Sequence, residues 1–255
     1  MTERAIPNTV ATAQIRGARA YQEDTLAVQA LAADGRADEL LLVLADGMGG
    51  HAGGEVASGV VVEHFCTAYE NSTGNVPVDL RSCLDVANEA LANTAAEMPE
   101  LNGMGTTLIG CVIREDQLYW ISVGDSPLWV CREGMLQRLN ADHSMVPLLD
   151  EMVRSGGMDK EAALVDVRRN MLLSAVAGTA IELVDLCAEP MRLHAGDIVI
   201  LASDGVETLT GDELATVLKN PRDRSLQELA EDLTTSIEAV GHDGQDNASI
   251  ILYQH

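Results

Sequence analysis

Cations are scarce in this chain. Of its 255 residues only 16 are Lys or Arg, against 40 Asp or Glu, and the formal net charge is −24. Such a surface repels phosphodiester backbones and anionic headgroups, which argues against nucleic acid or membrane as a partner. Disulfide chemistry is also lacking. Cys66, Cys83, Cys111, Cys131 and Cys187 are odd in number, widely spaced and free of any Cys-x-x-Cys pair, as expected of reduced core thiols in a cytoplasmic protein. No apolar run approaches the ~18 residues of a membrane span, and Met1 to Val10 lacks the basic start and apolar middle of a signal peptide. Repeats, linkers and low-complexity segments are missing too, so residues 1–255 are expected to form one domain. With 47% hydrophobic residues that domain can bury a sizeable core.

The stretch Leu40-Leu-Leu-Val-Leu-Ala45 is a short apolar run of the kind that forms a strand buried on both faces. It stops at Asp46-Gly47, and a spray of glycines up to Gly54 leads into a helix expected from Glu55 to Tyr69. Upstream, alternation predicts strands between Asn8 and Gly17 and from Thr25 to Leu31, with Asp34-Gly35 in a hairpin turn before Leu40. Leu80, Leu84, Ala87, Leu91, Ala95 and Met98 recur at the spacing of one buried helix face over Val78 to Met98. Strands follow at Thr106–Ile113, Gln117–Val123, Leu128–Cys131 and Met135–Leu139, and their short connections predict one antiparallel meander. Two weakly patterned helices, Ser144–Arg154 and Asp159–Val165, hinge at Gly156-Gly157. Strands at Ile181–Leu186 and Asp197–Ala202 precede helices at Asp212–Leu218 and Ser225–Val240. Ser225 and Glu228 have capping-box spacing, and Asp246–Tyr253 is the last strand. The whole reads as an α+β domain whose sheets are sandwiched by helices.

Aspartates mark the ends of these strands. Asp46, Asp125 and Asp204 close theirs, whereas Asp24 and Asp246 open theirs. If the two sets run in opposite directions, all five carboxylates gather at one edge, where they would repel one another unless neutralised. Hard divalent cations such as Mg²⁺ or Mn²⁺ suit an all-oxygen cluster of this kind. Taken singly, any one of these aspartates reads as a turn or cap residue, and a lone Asp-Gly pair is better explained by a turn.

Arg19-Ala-Tyr-Gln-Glu-Asp24, Ala45-Asp-Gly-Met-Gly-Gly-His-Ala-Gly-Gly-Glu55, Gly105-Thr-Thr107, Val123-Gly-Asp-Ser126, Asp142-His-Ser144, Ala202-Ser-Asp-Gly205 and Asp246-Asn247 occur in that order. In this set, nearly end to end, the chain resembles the metal-dependent Ser/Thr protein phosphatases of the type 2C class, in particular the bacterial stand-alone members. The resemblance implies a four-layer α-β-β-α sandwich of two mainly antiparallel sheets, with two Mn²⁺ or Mg²⁺ ions in a cleft at the sandwich edge. It implies that Asp46 bridges the ions, that the Gly47 carbonyl binds one, and that Asp204 and Asp246 bind the other. Glu23 and Asp24 would orient bound waters, Arg19 would grip the substrate phosphate, and Asp125 would ligate a third, weaker ion. The implied reaction is in-line attack on phosphorus by a metal-bridging hydroxide, without a phosphoenzyme. No cysteine stands in a Cys-x5-Arg arrangement. The implied partners are phosphorylated proteins, a Ser/Thr kinase and its substrates, met by a monomer.

Departures from the family pattern are informative. Pro127 stands where Arg often follows Gly-Asp-Ser. Thr208, beside Glu207, stands where an acidic residue is common, which bears on the third ion. Met48 takes the place of a His proposed in eukaryotic members as general acid. For His51 and His143 the simpler expectation is loop bracing, since a catalytic His needs a partner in reach. The segment at about 144–170 matches the family's variable flap and is expected to influence substrate choice. A dinucleotide-binding reading of Gly47-Met-Gly-Gly-His-Ala52 is weaker, because Asp46 would repel a pyrophosphate and no acidic residue ends a second parallel strand. A non-catalytic phosphoprotein-binding or regulatory member is the remaining alternative.

Overall fold

The computed structural model of the chain describes residues 7–31, 39–49, 53–72, 74–219 and 224–255. Its strands, in chain order, are β1 (Val10–Ile15), β2 (Asp24–Leu31), β3 (Glu39–Met48), β4 (Gly105–Thr106), β5 (Leu108–Arg114), β6 (Gln117–Val123), β7 (Leu128–Arg132), β8 (Met135–Arg138), β9 (Asp185–Leu186), β10 (Met191–Arg192), β11 (Ile198–Ala202) and β12 (Ala248–Gln254). The helices are α1 (Gly53–Glu70), α2 (Val76–Glu97), α3 (Val146–Arg154), α4 (Lys160–Leu164), α5 (Gly211–Leu218) and α6 (Leu226–Val240). One sheet has the order β1-β12-β11-β7-β8, the other β10-β6-β5-β3-β2, and every pairing in both is antiparallel.

Three apolar cores stack through the molecule and make it a four-layer α-β-β-α sandwich. β3 shows why its sequence reads as a continuous apolar run. Leu41, Val43 and Ala45 point at α1 and α2, whereas Leu40, Leu42 and Leu44 point at the opposite sheet, where Val199, Leu201 and Ile251 meet them. Strands buried on both faces lose the polar alternation of a solvent-facing sheet. The third core lies under α6, whose Leu229, Leu233 and Ile237 cover Ile200, Ile250 and Leu252. Phe65, fully buried on α1, packs against Gly110 of β5, where an added Cβ would stand 2.6 Å from its ring.

The expected capping box of α6 is formed, with Glu228 N–H donating to Ser225 Oγ at 3.2 Å and Ser225 N–H to Glu228 Oε2 at 2.6 Å. Thr210 and Glu213 build a second one on α5. The meander is a correction. β5 and β6 belong to one sheet and β7 and β8 to the other, because the Gly124-Asp-Ser-Pro127 corner carries the chain across the sandwich instead of turning it back. Gly124 has φ +101, in the left-handed region that glycine tolerates, and proline at 127 has no N–H for a ladder. The expected strand from Ile181 shrinks to β9, and the Asp34-Gly35 turn lies outside the described residues. Among the described residues no helix is long and apolar enough to cross a membrane.

Each sheet also carries a buried ion pair. Glu39 opens β3 and accepts from Arg114 Nε at 2.6 Å. Asp197, just before β11, is held bidentately by Arg132, with Nε to Oδ1 at 2.9 Å and Nη2 to Oδ2 at 2.6 Å. Both pairs lie at the opposite strand ends from Asp46, Asp125 and Asp204.

Candidate active site

At the other ends of those strands the carboxylates collect without matching arginines. β2 and β3 place Asp24 directly opposite Asp46. Asp204 follows β11 at the start of a 3₁₀ turn, Asp246 precedes β12, and Asp125 sits on the crossing corner. A cleft of about 280 Å³ is lined by Arg19, Glu23, Asp46, Gly47, Met48, Asp125, Asp204 and Asp246. All five aspartates expected at one edge are therefore brought together.

Backbone packing fixes the two Asp-Gly corners. A Cβ on Gly47 would overlap the Gly54 and Glu23 carbonyl oxygens, and one on Gly205 would overlap the Asn247 carbonyl. At these places the need for glycine is close approach, not a turn. Gly54 serves differently: a Cβ there would stand 2.8 Å from the Gly47 carbonyl oxygen and would collide with Glu23 Oε1. The missing side chain leaves those two oxygens facing a shared space. Gly105-Thr-Thr107 clamps Asp46 itself. Thr106 Oγ1 and Thr107 N–H donate to its carbonyl at 2.8 and 2.9 Å, and its N–H donates to Thr107 Oγ1 at 3.0 Å.

Sequence reasoning assigned no task to several residues that hold the site. Buried Asn247 ties down the loop bearing Arg19 and Glu23. It donates to the Arg16 and Tyr21 carbonyls at 2.8 and 3.0 Å and accepts from Glu23 N–H at 2.8 Å. Ser203 and Ser249 donate to Asp24 Oδ2 at 2.8 and 2.6 Å, and Ser58 donates to the Glu23 carbonyl at 2.6 Å. Thr208 turns away from the cleft and donates to Gln245 Oε1 at 2.8 Å. His143 is buried, accepts from Gly124 N–H at 3.2 Å and braces the Asp125 corner. Burial lowers its pKa, and the bracing role fits these contacts. His51 lies outside the described residues.

The electrostatics follow from enclosure. Asp46 keeps some exposure through the cleft. Burial nevertheless pushes its pKa well above the carboxylate range, and Asp24, Asp204, Asp125 and Asp246 push further. Asp24 rises to about 6, chiefly through burial, although both serine hydrogen bonds oppose this. Asp125 rises to about 7 through burial and then the charges of Asp204 and Asp142. Burial followed by Asp246 raises Asp204, which shares a hydrogen bond with Asp46. Arg19 is ion-paired with Asp246.

These groups fit divalent cations. Glu23 Oε1 and Asp24 Oδ1 are buried with no hydrogen-bond partner among the described residues. The donors are all oxygen, the preference of Mg²⁺ and Mn²⁺. Among the described residues no three Asp, Glu, His or Cys side chains already surround one point as a closed cage. Asp246 faces Arg19 and Asp46 faces Asp204, so ligation requires these side chains to turn towards the ions.

The sign of the pH dependence follows. Carboxylates whose folded pKa is raised stabilise the metal-free fold below their unfolded value of about 3.9, and that contribution is lost as pH rises through the folded value. For Asp24 and Asp125 those values are about 6 and about 7. The melting temperature of EDTA-stripped protein is expected to fall between about pH 4 and about pH 7, and saturating Mn²⁺ is expected to reverse the loss. A flat profile in EDTA would count against the self-repelling cluster.

Two antiparallel sheets between helix layers, with a carboxylate cleft at one sheet edge, define a class of metal-dependent phosphatase folds. The chain belongs to the protein phosphatase 2C family, whose sequence model matches residues 16–245. It is 31% identical over 220 residues to a serine/threonine phosphatase, stp, of Listeria monocytogenes, covering 84% of each chain. Its fold superposes on the serine/threonine phosphatase PstP/Ppp of Mycobacterium tuberculosis with a TM-score of 0.78 at 29% identity, covering 96% of this chain and 97% of the other. The catalytic domain of PstP in complex with two manganese ions gives 0.73 at 28% identity, with 96% of each chain covered.

Proposed function

We propose that this protein hydrolyses phosphoserine and phosphothreonine in phosphoproteins with the help of two divalent cations, Mn²⁺ or Mg²⁺. The observation that carries this reading is the contrast between the two strand ends. Buried Glu39 and Asp197 each have an arginine, whereas among the described residues the carboxylates lining the cleft share a single ion pair, that of Asp246 with Arg19 at the lip. Asp46 would bridge the ions, the Gly47 carbonyl would bind one, and Asp204 and Asp246 the other. Glu23 and Asp24 would orient waters around them; the third, weaker ion that the family likeness assigns to Asp125 is not part of this reading. Bound ions of this kind supply Lewis-acid polarisation and an activated water.

The chain's own residues do the positioning. Arg19 is half exposed, and once Asp246 turns to a cation its planar fork is free to take two phosphate oxygens. Asn247 holds the loop from which it reaches. Thr106 and Thr107 keep Asp46 aimed into the cleft. Met48, on the cleft wall, has no proton to give a leaving group.

We assign residues 1–255 to one catalytic domain with a flap at about 144–170. The flap reading is supported by Asn170 and Leu172, which line the cleft. The expected partners are phosphoproteins, among them a Ser/Thr kinase and its substrates, and the acidic surface disfavours nucleic acid and membrane. The expected cytoplasmic location and monomeric state rest on the same composition and family likeness.

Hydrolysis of p-nitrophenyl phosphate and phosphothreonine peptides should require Mn²⁺ or Mg²⁺ and stop in EDTA. Activity in EDTA would sink the two-cation reading. Deleting α3 and α4 should alter the ranking of peptides more than the rate on p-nitrophenyl phosphate, and an unchanged ranking would remove the flap from substrate choice.

A further inference from the structure

The outer end of the cleft holds a second acidic group. Asp125, Asp142 and Glu207 approach one another closely enough for Asp142 and Glu207 both to raise the Asp125 pKa. A guanidinium stands among them. Arg138 ends β8 and pairs in register with Trp129 of β7, so its side chain reaches back along the strand to the corner that β7 leaves. Its Nη2 donates to the Asp125 carbonyl at 2.6 Å, and its Nε donates to Asn140 Oδ1 at 3.3 Å. Its Nη1 lies 3.6 Å from Asp142 Oδ2 and 3.6 Å from Glu207 Oε1. Residue 127, next but one to Asp125, is proline, and the corner's cation therefore comes from the neighbouring strand.

We propose that Arg138 is a positioning residue for Asp125 and the fixed cation of this recess, so that its guanidinium takes the place a third divalent ion would otherwise fill. The carbonyl hydrogen bond sets the orientation of the corner. The charge offsets part of the field of Asp142 and Glu207 and, from within the recess, opposes a dication that would approach Asp125. Thr208 has no carboxylate to add, and its hydroxyl is committed to Gln245. The proposal rests on the two-cation reading above and adds that the chain itself limits the count to two.

Calorimetric titration of EDTA-stripped protein with Mn²⁺ tests it, with circular dichroism to verify folding. Wild type should close at two ions. Arg138→Gln loses the charge but keeps an amide donor at the level of Nε for Asn140 Oδ1, and it should gain a third binding event of submillimolar affinity. Arg138→Lys keeps the charge and should again stop at two. Identical isotherms for wild type and Arg138→Gln would overturn the proposal while leaving the dinuclear site standing. If Arg138→Gln does not fold, a third submillimolar event in wild type would overturn it alone, and closure at two would support it. Absence of any Mn²⁺ binding by wild type would overturn both readings.

Discussion

Asp46→Asn is expected to lower kcat/KM on phosphothreonine peptides by at least about 10³-fold, roughly 4 kcal/mol of transition-state stabilisation, without weakening the metal-free fold. The two effects share one cause. Asp46 is strongly opposed by its surroundings, with burial and four other aspartates all disfavouring its charge. An amide of nearly the same shape removes that opposition, fits between the Thr106 and Thr107 clamps, which bind backbone atoms, and can donate to Asp204. It also cannot bridge two cations. In EDTA at about pH 7.5 the variant should melt at or above the wild-type temperature, and Mn²⁺ should raise its melting point by much less than it raises wild type's. Activity within tenfold of wild type would refute the bridging role. A metal-free variant that melts well below wild type would instead mean that Asp46 supports the fold.

This opposition between stability and function was partly legible in the sequence. A run such as Leu40–Ala45 announces a strand buried on both sides, and its abrupt stop at a carboxylate is a local signal. The other aspartates gave similar signals because each stands at a strand end. What periodicity does not carry is partnership between distant residues. Asn247 reads as one more polar residue after Asp246, yet it ties the loop of Arg19 and Glu23 through contacts more than 200 positions apart. Ser58 sits on a helix and is bonded to Glu23 for the same reason. The meander reading failed for want of long-range information. A short connection between strands is consistent with a hairpin or with a crossing to the facing sheet, and only packing at Gly124-Asp125-Ser126-Pro127 decides. Gly110 is another case: it is small because Phe65 needs its surface, and nothing near it in sequence says so.

At the opposite strand ends, Arg114→Met is expected to destabilise the protein by about 3 kcal/mol, near the lower end for breaking a buried pair, because the Arg114 side chain is 32% exposed. Glu39 has a fully buried side chain. It accepts from Arg114 Nε on the paired strand and from Tyr69 Oη at 3.0 Å at the end of α1. Arg114 Nη1 also donates to the Gly74 carbonyl at 3.0 Å, so one guanidinium joins β5 to the α1–α2 connection. Methionine keeps much of the apolar stem but leaves the buried Glu39 carboxylate without its guanidinium. Glu39→Gln added to Arg114→Met should recover a large part of the loss, because a neutral amide needs no counter-charge. Urea unfolding of the four proteins of this cycle measures each term. An Arg114→Met deficit that is not relieved by Glu39→Gln would assign the effect to lost packing at Gly74 instead of to the buried charge.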